Sequence, residues 1–138
     1  MADSFVIGET EFGVDRASVK VEFPLRPDGL ANVHIEVGGD KSVFESLSED
    51  ERWSWALYPP AFSIRQYPVS PEDAKLSGPI EIAARDQTFE MDLYMMEYCE
   101  VRSVIIRKET DGILVAGRVD MWGQDMPFHI HLNGAYEV

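Results

Sequence analysis

Apolar and polar residues alternate at period two through most of this 138-residue chain. Such a pattern buries its apolar groups by forming strands with one face turned inward. The C-terminal third shows it best, because two turn signals there propose a register. Asp111-Gly112 reads as a two-residue hairpin turn, which opposes Lys108 with Val115, Ile106 with Gly117 and Val104 with Val119. Taking Gly123-Gln124 as a second such turn opposes Met121 with Met126, Val119 with Phe128, Gly117 with Ile130 and Val115 with Leu132. Both hairpins select the same inner face, and a slip of one residue would put half of these groups in water. The stretch from about Val101 to Asn133 is therefore expected to be a three-stranded antiparallel meander.

The same period recurs upstream. Val19, Val21 and Phe23 alternate with Ser18, Lys20 and Glu22, and Pro24 with the Pro27-Asp28-Gly29 turn ends that strand. Ala31, Val33, Ile35 and Val37 then alternate with Asn32, His34 and Glu36 as far as Gly38-Gly39-Asp40, which predicts a hairpin. Phe5 to Val14 reads as a strand in which Gly8 and Gly13 suggest a bulge. From Thr88 to Met96, Phe89, Met91, Leu93 and Met95 face inward, while Glu90, Asp92, Tyr94 and Met96 face out.

One helix is predicted, from about Glu49 to Leu57. Ser48 stands three residues before Glu51 with the spacing of a capping box, the first turn is acidic, and Pro59-Pro60 stops the run. Trp53, Ala56 and Leu57 would share its buried side, leaving Trp55 pointing away. A second short turn is expected at Ser70-Pro71, with Glu72 and Asp73 behind the proline and Gly78 closing it. The expected fold class is mainly β: an antiparallel β-sandwich or up-and-down barrel of about eight strands with one short helix, about 49–57. One domain is expected over residues 1–138, since a chain of this length buries roughly two thirds of its unfolded surface in a single core.

Charge narrows the function. Twenty-five acidic and 12 basic side chains give a net −13, spread along the whole chain. Such a field repels nucleic acid and anionic lipid and attracts basic partners. The apolar run Leu93-Tyr94-Met95-Met96 is far short of the roughly 20 residues a membrane helix needs. The first twenty residues carry no apolar stretch of signal-peptide length, and the one cysteine, Cys99, has no partner for an internal disulfide, so the expected location is cytoplasmic.

Little in the chain suggests catalysis. There is no Gly-x-Ser-x-Gly elbow, no Gly-x-x-x-x-Gly-Lys phosphate loop and no Gly-x-Gly-x-x-Gly fingerprint. Glutamates around Cys99 raise a thiol's pKa where a catalytic thiolate needs it lowered. Glu90 and Asp92 share a strand face, as a catalytic acid and base would, but in so acidic a chain such pairs arise by chance and a solvated face accounts for them better. His129 and His131 place two imidazoles on one face at period two, and Gly123 lies six positions before His129. The nine residues Gly123 to His131 thereby resemble the opening of the first motif of the cupins, small β-barrels that often bind a metal. That resemblance would imply a metal-dependent enzyme using His129 and His131. In cupins a Glu follows a few residues after the second His and a later motif supplies another His; here Glu137 comes one or two positions too late and the sequence ends at Val138. The expected register also sets His129 opposite Arg118, a cation unfavourable to a metal. No bound metal and no cofactor are expected.

What stands out is acidity combined with outward aromatic groups. One candidate partner-binding patch is Glu49, Asp50, Glu51, Trp55 and Tyr58 on the helix; the other is Glu90, Asp92 and Tyr94 on the strand from Thr88. Interfaces favour aromatic anchors with charges that steer encounter. The leading expectation is a non-catalytic acidic protein that binds a basic protein, as an immunity protein or antitoxin covers a cationic toxin. The alternatives are a small-molecule-binding barrel with Met91, Met95, Met121 and Met126 lining its interior, and the cupin-like enzyme.

Overall fold

Ten strands pair antiparallel into one curled sheet in the computed structural model, which describes residues 3–48, 58–83, 88–95, 97–121 and 123–134. In chain order these are β1 (Ser4–Ile7), β2 (Thr10–Glu11), β3 (Asp15–Glu22), β4 (Ala31–Gly38), β5 (Ala61–Val69), β6 (Ile80–Ile82), β7 (Glu90–Met95), β8 (Glu97–Glu109), β9 (Gly112–Met121) and β10 (Gln124–Asn133). Two short helices, α1 (Lys41–Ser46) and α2 (Pro71–Ala74), complete the described elements. Across the sheet the order is β2-β1-β10-β9-β8-β7-β5-β4-β3, and β6 pairs with the distal half of the long β8, beyond the part that pairs with β7.

The sheet curls far enough for its two ends to approach. Arg16 on β3, the last strand of the path, donates to Asp3 at 3.1 Å and to the carbonyl of Asn133 at the end of β10 at 3.2 Å. The result is a half-barrel in which nearly every inward position is apolar. Phe5 and Ile7 of β1, Ala31, Val33, Ile35 and Val37 of β4, Met91, Leu93 and Met95 of β7, and Phe128, Ile130 and Leu132 of β10 belong to one contiguous core. The rings of Phe62 and Phe128, on β5 and β10, meet at 5.6 Å across the interior. Cys99 is buried on β8 opposite Leu93, as a small apolar group. Met91, Met95 and Met121 are buried in the same cluster, and Met126 packs against it.

The expected hairpin of β3 and β4 forms, with Val21 opposite Ile35. Its partner faces follow the alternation read from residues 31–37. At the N-terminus the outcome differs. Gly8 and Glu9 make a tight turn, with Ile7 opposite Thr10 and Gly8 at φ 62°, so Gly8 reverses the chain where a bulge was expected. The turn at Ser70-Pro71 is α2, with the Ser70 hydroxyl accepting from the Asp73 amide at 3.1 Å and proline in the first turn. Buried Leu76, at φ 55°, takes the left-handed conformation that ends it, ahead of Gly78.

The helix predicted over 49–57 falls outside the described residues, together with Glu49, Asp50, Glu51 and Trp55. The helix that precedes them, α1, is capped by Asp40, whose carboxylate accepts from the Val43 amide at 3.0 Å. α1 buries Phe44 against Phe12 at 6.3 Å between ring centres. Among the described residues no helix is long and apolar enough to cross a membrane.

Both C-terminal hairpins keep the expected faces and shift the expected register by two residues. Glu109 opposes Gly112, Ile106 opposes Val115 and Val104 opposes Gly117, so the first turn is Thr110-Asp111 and Gly112 lies in β9. Met121 opposes Gln124, Val119 opposes Met126, Gly117 opposes Phe128 and Val115 opposes Ile130, which places the second turn one residue earlier than expected, with Gly123 at φ 87°. A slip of two preserves which side chains point inward, so the alternation alone does not distinguish the two registers. His129 consequently stands opposite Ala116, and Arg118 stands opposite Pro127. Between Val101 and Ser103 the β8–β9 register shifts, leaving Arg102 as the extra residue of a bulge.

Candidate functional site

The corrected registers assemble a feature on the outer face that no single strand displays. Asp92 of β7 opposes Glu100 of β8, Glu100 opposes Asp120 of β9, and Asp120 opposes Asp125 of β10. Four consecutive strands therefore present a carboxylate at one level of the sheet. Directly opposed side chains in a sheet lie roughly 5 Å apart at Cβ, inside the ~8 Å screening length at physiological salt, so these charges act as one field. Like charges so placed destabilise a sheet.

Two guanidiniums partly offset the row. Arg102, turned out by the bulge, reaches Asp120 at 2.7 Å, and Arg118 reaches Asp125 at 2.7 Å. The hydrogen bond from Arg118 holds the Asp125 carboxyl below its ordinary pKa, and Asp120, with Glu100 beside it, raises that of Arg102. Asp120 has a structural duty as well, accepting the Gly123 amide at 2.8 Å and closing the turn into β10.

In the other direction the row continues through Ser63 of β5 to Glu36 of β4 and Lys20 of β3. Glu36 is tied on two sides. His34 Nε2 lies 3.1 Å from its carboxylate, and Arg65 donates to it while also standing 3.7 Å from Glu90. The hydrogen bond with His34, the largest effect, together with Arg65 holds the Glu36 carboxyl below the usual glutamate value against the opposing effect of burial. One level along, Gly38, Ala61 and Tyr94 oppose one another in turn. Because Gly38, Ala61 and Ser63 are small, this part of the outer face sinks into an open trough of about 390 Å³, bounded by Tyr94, Asp92, Glu36 and Arg65.

Of the expected strand patch, Glu90 and Tyr94 are exposed and Asp92 is half-buried, all on the outer face of β7. Tyr58, the described member of the helix patch, is 62% exposed, three residues before Ala61, which opposes Tyr94. The two exposed tyrosines therefore belong to the same end of the sheet. Glu100, Asp120 and Asp125 were missed as site residues, since only the cross-strand pairing places them beside Asp92.

The two histidines share a face without making a shared site. His129 is exposed, whereas His131 is buried between Ser4 and Leu114, with Asp111 Oδ1 3.8 Å from its Nε2. This corrects the expectation that Arg118 faces His129 across the ladder. Among the described residues no group of three or more His, Cys, Asp or Glu side chains converges as metal ligands would. Compared with protein families, curated proteins and solved structures, the chain finds no match in any of the three.

Proposed function

We propose that this chain is a non-catalytic binding protein that recognises a basic protein partner through the outer face of β7 to β10, in the manner of an immunity or antitoxin-type inhibitor acting in the cytoplasm. The observation that carries the reading is the row of directly opposed carboxylates, Asp92, Glu100, Asp120 and Asp125. Opposed like charges work against pairing, and Arg102 and Arg118 offset only part of the row, so the acidity that remains is accounted for by what it attracts. Tyr94, exposed on β7, is the kind of large amphipathic contact that anchors interfaces, and exposed Tyr58 lies three residues before Ala61, which opposes Tyr94. The net charge of −13 extends the same sign over the rest of the chain and speeds encounter with a cationic surface.

The test is recovery of a partner from the source cell on immobilised protein. A basic protein should be retained at low ionic strength and released near ~0.5 M salt, where the screening length falls to a few ångströms. Retention of only acidic or neutral proteins, or binding indifferent to salt, would contradict the proposal.

A further inference from the structure

We infer that the trough between Tyr94 and Glu36 receives one arginine side chain of the basic partner. The inference rests on the partner reading above and adds to it an anchor point and a residue type. Outward positions of a sheet ordinarily carry side chains that shield the backbone, yet here Gly38, Ala61 and Ser63 stand together on adjoining strands and leave about 390 Å³ open. The floor is held in place: the Gly38 amide donates to the Ser18 hydroxyl at 2.8 Å, and a Cβ on Gly38 would come within 3.1 Å of that oxygen.

The walls decide what fits. Tyr94, 39% exposed, lines the trough and offers its exposed part beside the interaction it already makes. Asp92, on the same strand two residues away, brings the acidic row to the trough's edge. An aliphatic stem would lie along Ala61 and Gly38 while a planar cation stacked on Tyr94 and offered paired donors to Asp92. That combination of flat stacking and fork-like donation belongs to guanidinium; an ammonium is compact and more strongly hydrated. A carboxylate has about four lone-pair sites, so Asp92 can serve a new donor beside its existing interaction. Arg65 at the far end is already engaged by Glu36 and Glu90, which limits its repulsion of an incoming cation.

The experiment titrates isotope-labelled protein with capped hexa-arginine and, separately, capped hexa-lysine, following backbone amide signals at low salt. Hexa-arginine should shift Gly38, Ala61, Ser63 and Tyr94 more than hexa-lysine does. Tyr94→Ala should weaken the arginine peptide about fivefold while Tyr94→Phe, which keeps the ring face, stays within about twofold. Ser63→Leu, which fills the trough without changing charge, should abolish the shifts at Gly38 and Ala61 while those at Glu100 and Asp125 persist; signal dispersion checks that each variant is folded. If both peptides shift only Glu100, Asp120 and Asp125, and Tyr94→Ala binds as the parent does, the arginine anchor is wrong and the acidic-face reading survives. If neither peptide binds, both fall.

Discussion

Gly112→Val should cost the fold on the order of 3 kcal/mol, and Gly112→Asn should cost nearly as much. A Cβ at Gly112 would sit 1.9 Å from the carbonyl oxygen of Leu132, 2.8 Å from its carbon and 3.0 Å from the Cα of Asn133. All three are backbone atoms of β10, so relief requires the two strands to separate. Gly112 is paired on both sides, with Glu109 and with Asn133, which leaves it no free direction to move. The asparagine variant separates this mechanism from the one the Asp-Gly sequence suggests. In a turn that needs positive φ, asparagine is tolerated because it adopts the left-handed region more readily than other residues. Gly112 is not among the positive-φ residues, so asparagine should gain nothing there. Denaturant midpoints placing Gly112→Asn within about 1 kcal/mol of the parent would mean that the turn, and not the close strand approach, sets the requirement. Gly123→Ala is the matched control: its φ is +87° but nothing lies within 4 Å of a Cβ there, so only the smaller backbone strain, about 1 kcal/mol, applies.

Reversing Asp92 and Glu100 together to Lys should lower affinity for the basic partner about 100-fold, chiefly through slower association. The two face each other across β7 and β8, so reversal replaces the first two carboxylates of the row with cations, near Arg102 and Arg65. Asp120 is left in place because it closes the turn through the Gly123 amide. The salt dependence should also become shallower, since the chain stays net acidic and added salt then screens both the remaining attraction and the new repulsion. Association rates within about twofold of the parent at every salt concentration would remove β7 and β8 from the interface.

How far the sequence foretold this arrangement follows from the symmetry of a strand. Alternation reports inside and outside: it identifies the buried faces of β4 and β7, and that of β10 except that His131, expected on a partly exposed polar face, is buried as well. It is blind to a slip of two, and both C-terminal turns invite that slip: Gly112 reads as a turn residue but lies in β9, and Gly123 reads as the first residue of a turn that starts one place earlier. The consequence reaches the candidate site. In the expected register Asp120 would oppose Ser103 and Pro127, and the acidic row would not exist; in the actual one it opposes Glu100 and Asp125. The bulge at Arg102 completes the alignment, and no local signal in Val101-Arg102-Ser103 announces it.

Strand β5 was obscured for a related reason. Phe62 and Ile64 alternate normally, but Gln66 at φ 63° shifts the register against β4, and Pro68 follows within the strand. Proline in a paired strand is rare enough to read as a loop. Helix α1 carried a legible signal in Asp40, three residues before the amide it accepts from, yet Gly38-Gly39 beside it reads more strongly as a turn. Tyr94 and Asp92 were legible because they needed only their own strand; Gly38, Ala61 and Ser63 became a trough only when three strands were laid side by side.

On the proposed function, the opposed carboxylates serve recognition at the expense of the sheet. Glu100→Gln is the test, since Glu100 stands between two carboxylates, Asp92 and Asp120, against the one guanidinium, Arg102, that it favours, and the change keeps the side chain's shape. Unfolding and partner association are to be measured on the same preparation at low salt. The variant should be more stable than the parent, by a few tenths to about 1 kcal/mol, and should associate with the basic partner more slowly. A variant that is less stable than the parent, or that associates as fast, would contradict it.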